Sequence, residues 1–97
     1  MQVRFRRREL ERRYTSGREA IRAWGAVIGP RYIDRVDSLR QVGNVEELYL
    51  VRPYDFHPLT GDRRGQHSMR LTGRVRLIVT VLSSREVIVE EVVDYHG

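Results

Sequence analysis

The sequence predicts a single α+β domain in which an N-terminal helical hairpin packs on one face of a mainly antiparallel sheet. Three observations carry that expectation. Apolar residues recur at helical spacing through the first half of the chain, at Ile21, Trp24 and Ile28 and again at Ile33, Val36 and Leu39. The last third instead holds three strand-like runs, QHSMRL, RVRLIVTV and EVIVEEVVDY, separated by turns short enough for antiparallel hairpins. Between the two, the composition changes after Pro53, where YDFHPLTGDRRG is turn chemistry throughout. The 97 residues leave room for one domain, spanning 1–97.

The elements follow in order. QVRF sets Val3 and Phe5 on one side, as a short opening strand does. RRELERRY places Leu10 and Tyr14 four apart, giving a short helix with one apolar stripe. Ser16 and Glu19 form an S-x-x-E capping pair that opens the next helix. Gly29-Pro30 is expected to stop that helix and start another, with proline in its favoured first turn. The new helix buries Tyr32, Ile33, Val36 and Leu39 and ends at Gly43. On such a face Trp24 is core rather than a platform for a ligand. Asn44 and Glu47 cap one more short turn, VEELYL.

In the central strand Val75, Leu77, Val79 and Val81 form one face, while Arg74, Arg76, Ile78 and Thr80 form the other. The first should bury against the helices; the second is open and carries Arg76. If EVIVEEVVDY is paired in the sheet, alternation sends Asp94 and His96 to one face and Tyr95 to the other. Uniting all three at one edge needs a bend or bulge at the strand end.

The charge narrows the partners. The formal net charge is +5, and all 18 basic residues are arginine. Arginine presents a planar fork that matches phosphate and stays charged at any working pH. Such a surface suits an anionic partner, nucleic acid or an acidic protein, although a genome biased toward arginine explains the same composition. The absence of cysteine excludes disulfides and thiolate metal sites and points to a reducing cytosol. No apolar run approaches the ~20 residues that span a bilayer, and none resembles a secretory signal. RFRRRELERRY carries glutamates at helical spacing, which argues against a transit peptide.

His57, His67 and His96 stand in no metal-ligand spacing, so no metal site and no cofactor is expected. What remains is a set of imidazoles, carboxylates, a phenol and guanidinium groups. That set suits metal-free RNA cleavage. A base takes the proton of a ribose 2′-OH, an acid protonates the leaving 5′-oxygen, and a cation meets the charge gathering on the phosphoryl oxygens. Each residue also has a plainer reading. His57, before Pro58, caps a turn; His67 is a cross-strand packing partner; Asp94, Tyr95 and His96 form a solvated end. Arg76 is half of an ion pair, and Arg63 and Arg64 beside Asp62 are a surface turn. No one residue decides between the readings.

Their order along the chain does carry a resemblance. FHPLTGDRRGQHSMRLTGRVRLIV followed by EVVDYH resembles the HigB branch of the RelE/ParE toxin superfamily. That branch has a histidine in H-P-L-x-G-D-R-x-G, a strand reading S-x-R-L/I, an arginine in the next strand and a terminal D-Y-H. The resemblance implies an α+β domain with a four- to five-stranded sheet whose free face is a concave site. It also implies the toxin of a bacterial type II toxin–antitoxin system, a cytoplasmic endoribonuclease that cuts mRNA in the ribosomal A site. Its partner would be a helix-turn-helix antitoxin, with DNA reached only through that antitoxin. His57, Arg76, Asp94, Tyr95 and His96 would be catalytic, and Arg70, Arg63, His67 and Ser68 would contact RNA. ParE-type members of the same fold instead poison DNA gyrase, and a degenerate toxin would act only within an antitoxin–DNA complex. The motif departs from the usual pattern at Thr60, where relatives often carry lysine, with Arg63 the candidate to replace that cation. It departs again at His67 and Val75, where they often carry aromatic residues.

Overall fold

The computed structural model describes residues 1–95. Strand β1 (Gln2–Phe5) leads into α1 (Arg8–Thr15) and α2 (Gly17–Gln41), then 3-10 turns at Val45–Leu50 and Arg52–Tyr54. The rest of the sheet is β2 (His57–Pro58), β3 (Gln66–Arg70), β4 (Val75–Ser83) and β5 (Glu86–Asp94), with a 3-10 turn Gly61–Arg63 between β2 and β3. The five strands lie in the order β1-β5-β4-β3-β2. β1 runs parallel to β5, and the other three pairings are antiparallel. The α+β class and the helices on one face of the sheet are as the hydrophobic periods require.

The helical layer differs from expectation at its break. Ser16 caps α2 by accepting the Glu19 N–H at 3.3 Å, as the sequence suggests. The helix is interrupted at Gly25, not at Gly29-Pro30, because Gly25 takes φ 92° and ψ 173°. Only glycine enters that region without a steric cost. Pro30 is carried inside the second segment. Gly29 has a different task. A Cβ there would stand 2.8 Å from the Ala20 carbonyl carbon and the Ile21 nitrogen, so the two segments touch backbone to backbone. Of the expected stripe, Trp24 and Ile28 pack against the core, whereas Ile21 is exposed and its neighbour Ala20 is fully buried. The second segment ends at Gln41 with Val42 as its cap, while Gly43 and Asn44 donate their N–H groups to the Glu47 carboxylate. With Asn44 accepting from the Glu47 N–H, this is a complete capping box, typically stabilising by ~1 kcal/mol.

The core lies between helices and sheet. Leu10, Tyr32, Val36 and Leu39 from the helices meet Met69, Leu71, Leu77, Val79, Val87 and Val89 from the strands. Trp24 packs against this core with its ring 4.6 Å from that of Tyr32 and the Arg13 guanidinium 5.0 Å above it. Two arginines of α2 tie the helix to the β3 end of the sheet. Arg35 Nε donates to the Arg70 carbonyl at 3.1 Å, and an Arg31 Nη donates to that of Leu71 at 2.8 Å. The backbone that presents Arg70 is thus held from behind.

The opposite face is open but not wholly polar. Ile78, on the side of Arg76, is fully buried. It lies between Ser68 of β3 and Glu91 of β5 in the register and floors the concave surface. A bulge follows it: Ile78 pairs with Glu91 and Val79 with Val89, leaving Glu90 as the extra residue. Glu90 takes a two-pronged bond from Arg6, at 3.0 and 2.9 Å, and one from Thr80 at 2.5 Å.

Candidate nucleic-acid cleavage site

The open face forms a hollow of ≈ 310 Å³ lined by His57, Leu59, Ser68, Gly73, Arg74, Arg76 and Tyr95. The sheet register explains why these residues meet. His57 stands opposite Ser68, Ser68 opposite Ile78, and Arg70 opposite Arg76, so alternation brings their side chains to one face. Tyr95 follows β5 and is anchored by its N–H, which donates to the Arg74 carbonyl at 2.9 Å. Arg76 is well enclosed, its side chain only 14% exposed. It donates to the Ser68 hydroxyl at 3.5 Å, across the floor of the hollow.

The His57 ring is fixed by the chain just before it. Its Nδ1 lies 2.7 Å from the backbone carbonyl of Asp55. A carbonyl oxygen only accepts, so Nδ1 carries the hydrogen and the neutral ring keeps its lone pair on Nε2. The Asp55 carboxylate meets Arg76 at 2.8 Å and Arg70 at 3.3 Å, and lies 3.8 Å from His57 Nδ1. The Arg76 hydrogen bond holds this carboxyl below the usual carboxylate range, with the charges of Arg76, His57 and Arg70 adding to it against the desolvation that opposes it.

The residues expected from the sequence divide into three groups. His57, Arg76, Tyr95 and Ser68 line one hollow, and Arg70 borders it through Asp55. Asp94, His67 and Arg63 do not join them. Asp94 pairs in register with Val75 and lies on the helix side of the sheet, in a second hollow of ≈ 290 Å³ with Ala23, Trp24, Ile28, Val75 and Val92. No bend carries it across; its carboxylate pairs with Arg74 Nε at 3.3 Å. His67 faces the covered side, opposite Val79 and Pro58, stacked on Phe56 at 4.8 Å and bonded through Nε2 to the Tyr49 hydroxyl at 3.0 Å. Burial, and after it the charge of His57, pushes this imidazole below the ordinary histidine value. Arg63 is tied to Glu91 at 2.9 Å and Gln66 at 3.1 Å. The further cation that lines the hollow with Arg76 is Arg74, while Arg63 stands beside Glu91 on the same open face. His96 lies outside the described residues. Among those described, no group of three or more histidine or acidic side chains is placed to hold a metal ion, and no helix is long and apolar enough to cross a membrane.

No family model and no curated protein matches the sequence. Solved structures do match over the whole fold. A YoeB/ParE toxin from Agrobacterium tumefaciens is 15% identical with a TM-score of 0.62, covering 99% of this chain and 100% of its own. The YoeB-YefM complex from Staphylococcus aureus gives 15% and 0.61, covering 100% of this chain and 98% of that one. YafQ from E. coli strain BL21(DE3) gives 11% and 0.63, covering 97% and 92%. The chain has the fold of these toxins. At such identity the likeness shows the architecture and nothing narrower.

The sequence singles out neither Asp55, which bonds to Arg76 at the hollow, nor a role there for Arg74. Asp55 looked like one more polar residue of a loop, and its conformation, φ 44° and ψ 47°, is not written in a local pattern. It is the only non-glycine residue with positive φ among those described. Alternation puts Arg74 on the open face; in the fold it lines the hollow beside Gly73 and pairs with Asp94 at 3.3 Å.

Proposed function

We propose that the chain is a metal-independent endoribonuclease of the HigB type, cutting mRNA in the ribosomal A site as the toxin of a type II toxin–antitoxin pair. The observation that carries this reading is the His57 ring, held with its hydrogen on Nδ1, in one hollow with Arg76 and Tyr95. His57 Nε2 takes the proton of a ribose 2′-OH, and the 2′-oxygen attacks the adjacent phosphorus. The bond to the 5′-oxygen breaks, leaving a 2′,3′-cyclic phosphate and a 5′-hydroxyl end. Arg76 faces the phosphoryl oxygens as charge gathers on them. Tyr95, half exposed at the mouth, stacks on a base or hydrogen-bonds the phosphate. The proton for the leaving oxygen is assigned to His96, on the resemblance of the D-Y-H ending alone. Asp94 reaches this site through its ion pair with Arg74.

The toxin fold is also what the S. aureus YoeB-YefM complex contains, and by analogy we assign this chain a helix-turn-helix antitoxin, with DNA contacted only through it. Primer extension on mRNA from cells expressing the chain tests the proposal. Cuts confined to ribosome-engaged transcripts, and lost in His57→Ala, are expected. Uncut mRNA with cleaved or supercoiling-defective DNA would make the chain a gyrase poison instead. Neither effect would leave an inert partner of the antitoxin.

A further inference from the structure

We propose that Asp55 is a positioning residue of this site, holding Arg76, Arg70 and the His57 ring in register and occupying the place that a substrate phosphate must take. The inference rests on the nuclease reading for its catalytic consequence and on geometry alone for its structural one. Three groups converge on Asp55. Its carboxylate takes Arg76 at 2.8 Å and Arg70 at 3.3 Å, and its carbonyl takes His57 Nδ1 at 2.7 Å. A second Arg76 nitrogen approaches the same carbonyl at 3.4 Å. Both faces of one residue, main chain and side chain, are thereby committed to the cations and the imidazole of the hollow.

The backbone conformation makes this possible. Asp55 caps the 3-10 turn Arg52–Tyr54 in the left-handed region, its N–H donating to the Arg52 carbonyl at 3.0 Å. That geometry turns its carbonyl toward the ring two residues on. Asp and Asn enter this region several-fold more often than other non-glycine residues, so the residue type fits the place. A carboxylate also resembles a phosphate to an arginine: both are anionic and offer two oxygens to a pair of N–H donors. Without a ligand, the single charge of Asp55 offsets part of the charge of the two guanidinium groups that a phosphate would meet. When RNA binds, a phosphate must share or displace that carboxylate, so Asp55 lowers affinity while keeping the guanidinium groups oriented.

The two halves of the claim separate by substitution. Asp55→Asn keeps the size and tolerates the backbone angle but removes the charge. Asp55→Gly keeps the carbonyl and favours the angle, and guards against a variant that fails for conformational reasons. In both, kcat for RNA cleavage on ribosomes should fall about 10- to 100-fold, as misplacement of a reacting group does. Binding of a short single-stranded RNA, measured in the His57→Ala background so that it stays intact, should not weaken. Its salt dependence should steepen by about 0.7 per guanidinium released to phosphate. Asp55→Glu, which keeps the charge, should recover part of the rate.

Nitrogen-15 NMR of the arginine and histidine side chains supplies a readout that needs no activity. In the wild type the Arg76 side-chain N–H signals should be protected from exchange and the His57 ring should report hydrogen on Nδ1. In Asp55→Asn the arginine protection should be lost while the His57 tautomer remains, since the carbonyl still holds it. Unchanged arginine protection in both variants overturns the proposal, as does a parallel loss of RNA binding and thermal stability, the mark of a residue that only shapes the loop. A wild-type chain that cuts no RNA removes the nuclease reading and leaves the positioning claim to be decided by the NMR result alone.

Discussion

His57 and His67 sit on neighbouring strands one step apart in register, yet they inhabit different molecules in the chemical sense. His57 pairs with Ser68 and Pro58 with His67, so alternation sends the two rings to opposite faces of one sheet. On the open face His57 meets the carbonyl and the carboxylate of Asp55 and lines one hollow with Arg76. On the covered face His67 lies against Phe56 and Tyr49, in an apolar corner that disfavours its charged form. The same side chain is thus a candidate base on one side and a packing group on the other. Residue type proposes the chemistry, and the face decides whether it is used.

That contrast is sharpest at two adjacent residues of β4. Arg76 points into the hollow and Leu77 into the core. Arg76→Ala should lower cleavage by about 10²- to 10³-fold, the usual cost of removing one donor to a developing anion. Its urea unfolding midpoint should change little, because the partner left behind, Asp55, is well exposed to water. Leu77→Ala should do the reverse. Deleting a fully buried leucine side chain costs ~2–5 kcal/mol, read as a lower unfolding midpoint, while the remaining folded fraction should cleave at the wild-type rate. A stability loss at Arg76 equal to that at Leu77 would dissolve the distinction between the faces.

A second pair tests how the covered face is built. Gly29→Ala drives a Cβ to 2.8 Å from main-chain atoms of Ala20 and Ile21, which cannot rotate away, and overpacking of this kind costs ~1–3 kcal/mol. Gly25→Ala meets nothing within 4 Å but must hold φ 92° and ψ 173°, a region essentially confined to glycine, at a cost of ~1–3 kcal/mol. Thermal unfolding should place both variants below the wild type. Neither should alter the ratio of cleavage rate to folded protein.

These pairs also mark how far the sequence was legible. Strand alternation in RVRLIVTV placed Leu77 inward and Arg76 outward correctly, and the hairpin turns gave β3, β4 and β5 their antiparallel order. Alternation likewise separated Asp94 from Tyr95, as their places on either side of the sheet bear out. Gly25 and Gly29 were not readable in the same way. A glycine beside a proline looks like a helix stop, whereas the need for a glycine at a backbone contact arises only once the two segments pack. Ile78 looked exposed because alternation cannot say that a concave face has a floor. Arg63 and Arg74 are alike in sequence; their partners, Glu91 and Asp94, lie far along the chain and are visible only in the fold.

The smallest effect returns to the histidine on the covered side. Its imidazole titrates below the ordinary value, about 6.5, because burial opposes its charge. Above that value both folded and unfolded chains carry it neutral, and its contribution to stability is complete. As pH falls below it, the unfolded chain takes up the proton first, and stability is lost until pH passes the lower value of the folded state. The carboxylates whose values are depressed, Asp55 and Glu90, follow the same sign but in a more acid window. His67→Phe keeps the ring against Phe56 and removes the titration. Between pH 7.5 and 5.5, values chosen about one unit either side of 6.5, the melting temperature of the wild type should drop more than that of His67→Phe. Cleavage by the variant should stay near the wild-type rate. Equal drops would mean that the protonated ring finds a partner on the covered side, and a large loss of cleavage would return His67 to the RNA-contacting set that its sequence neighbours suggested.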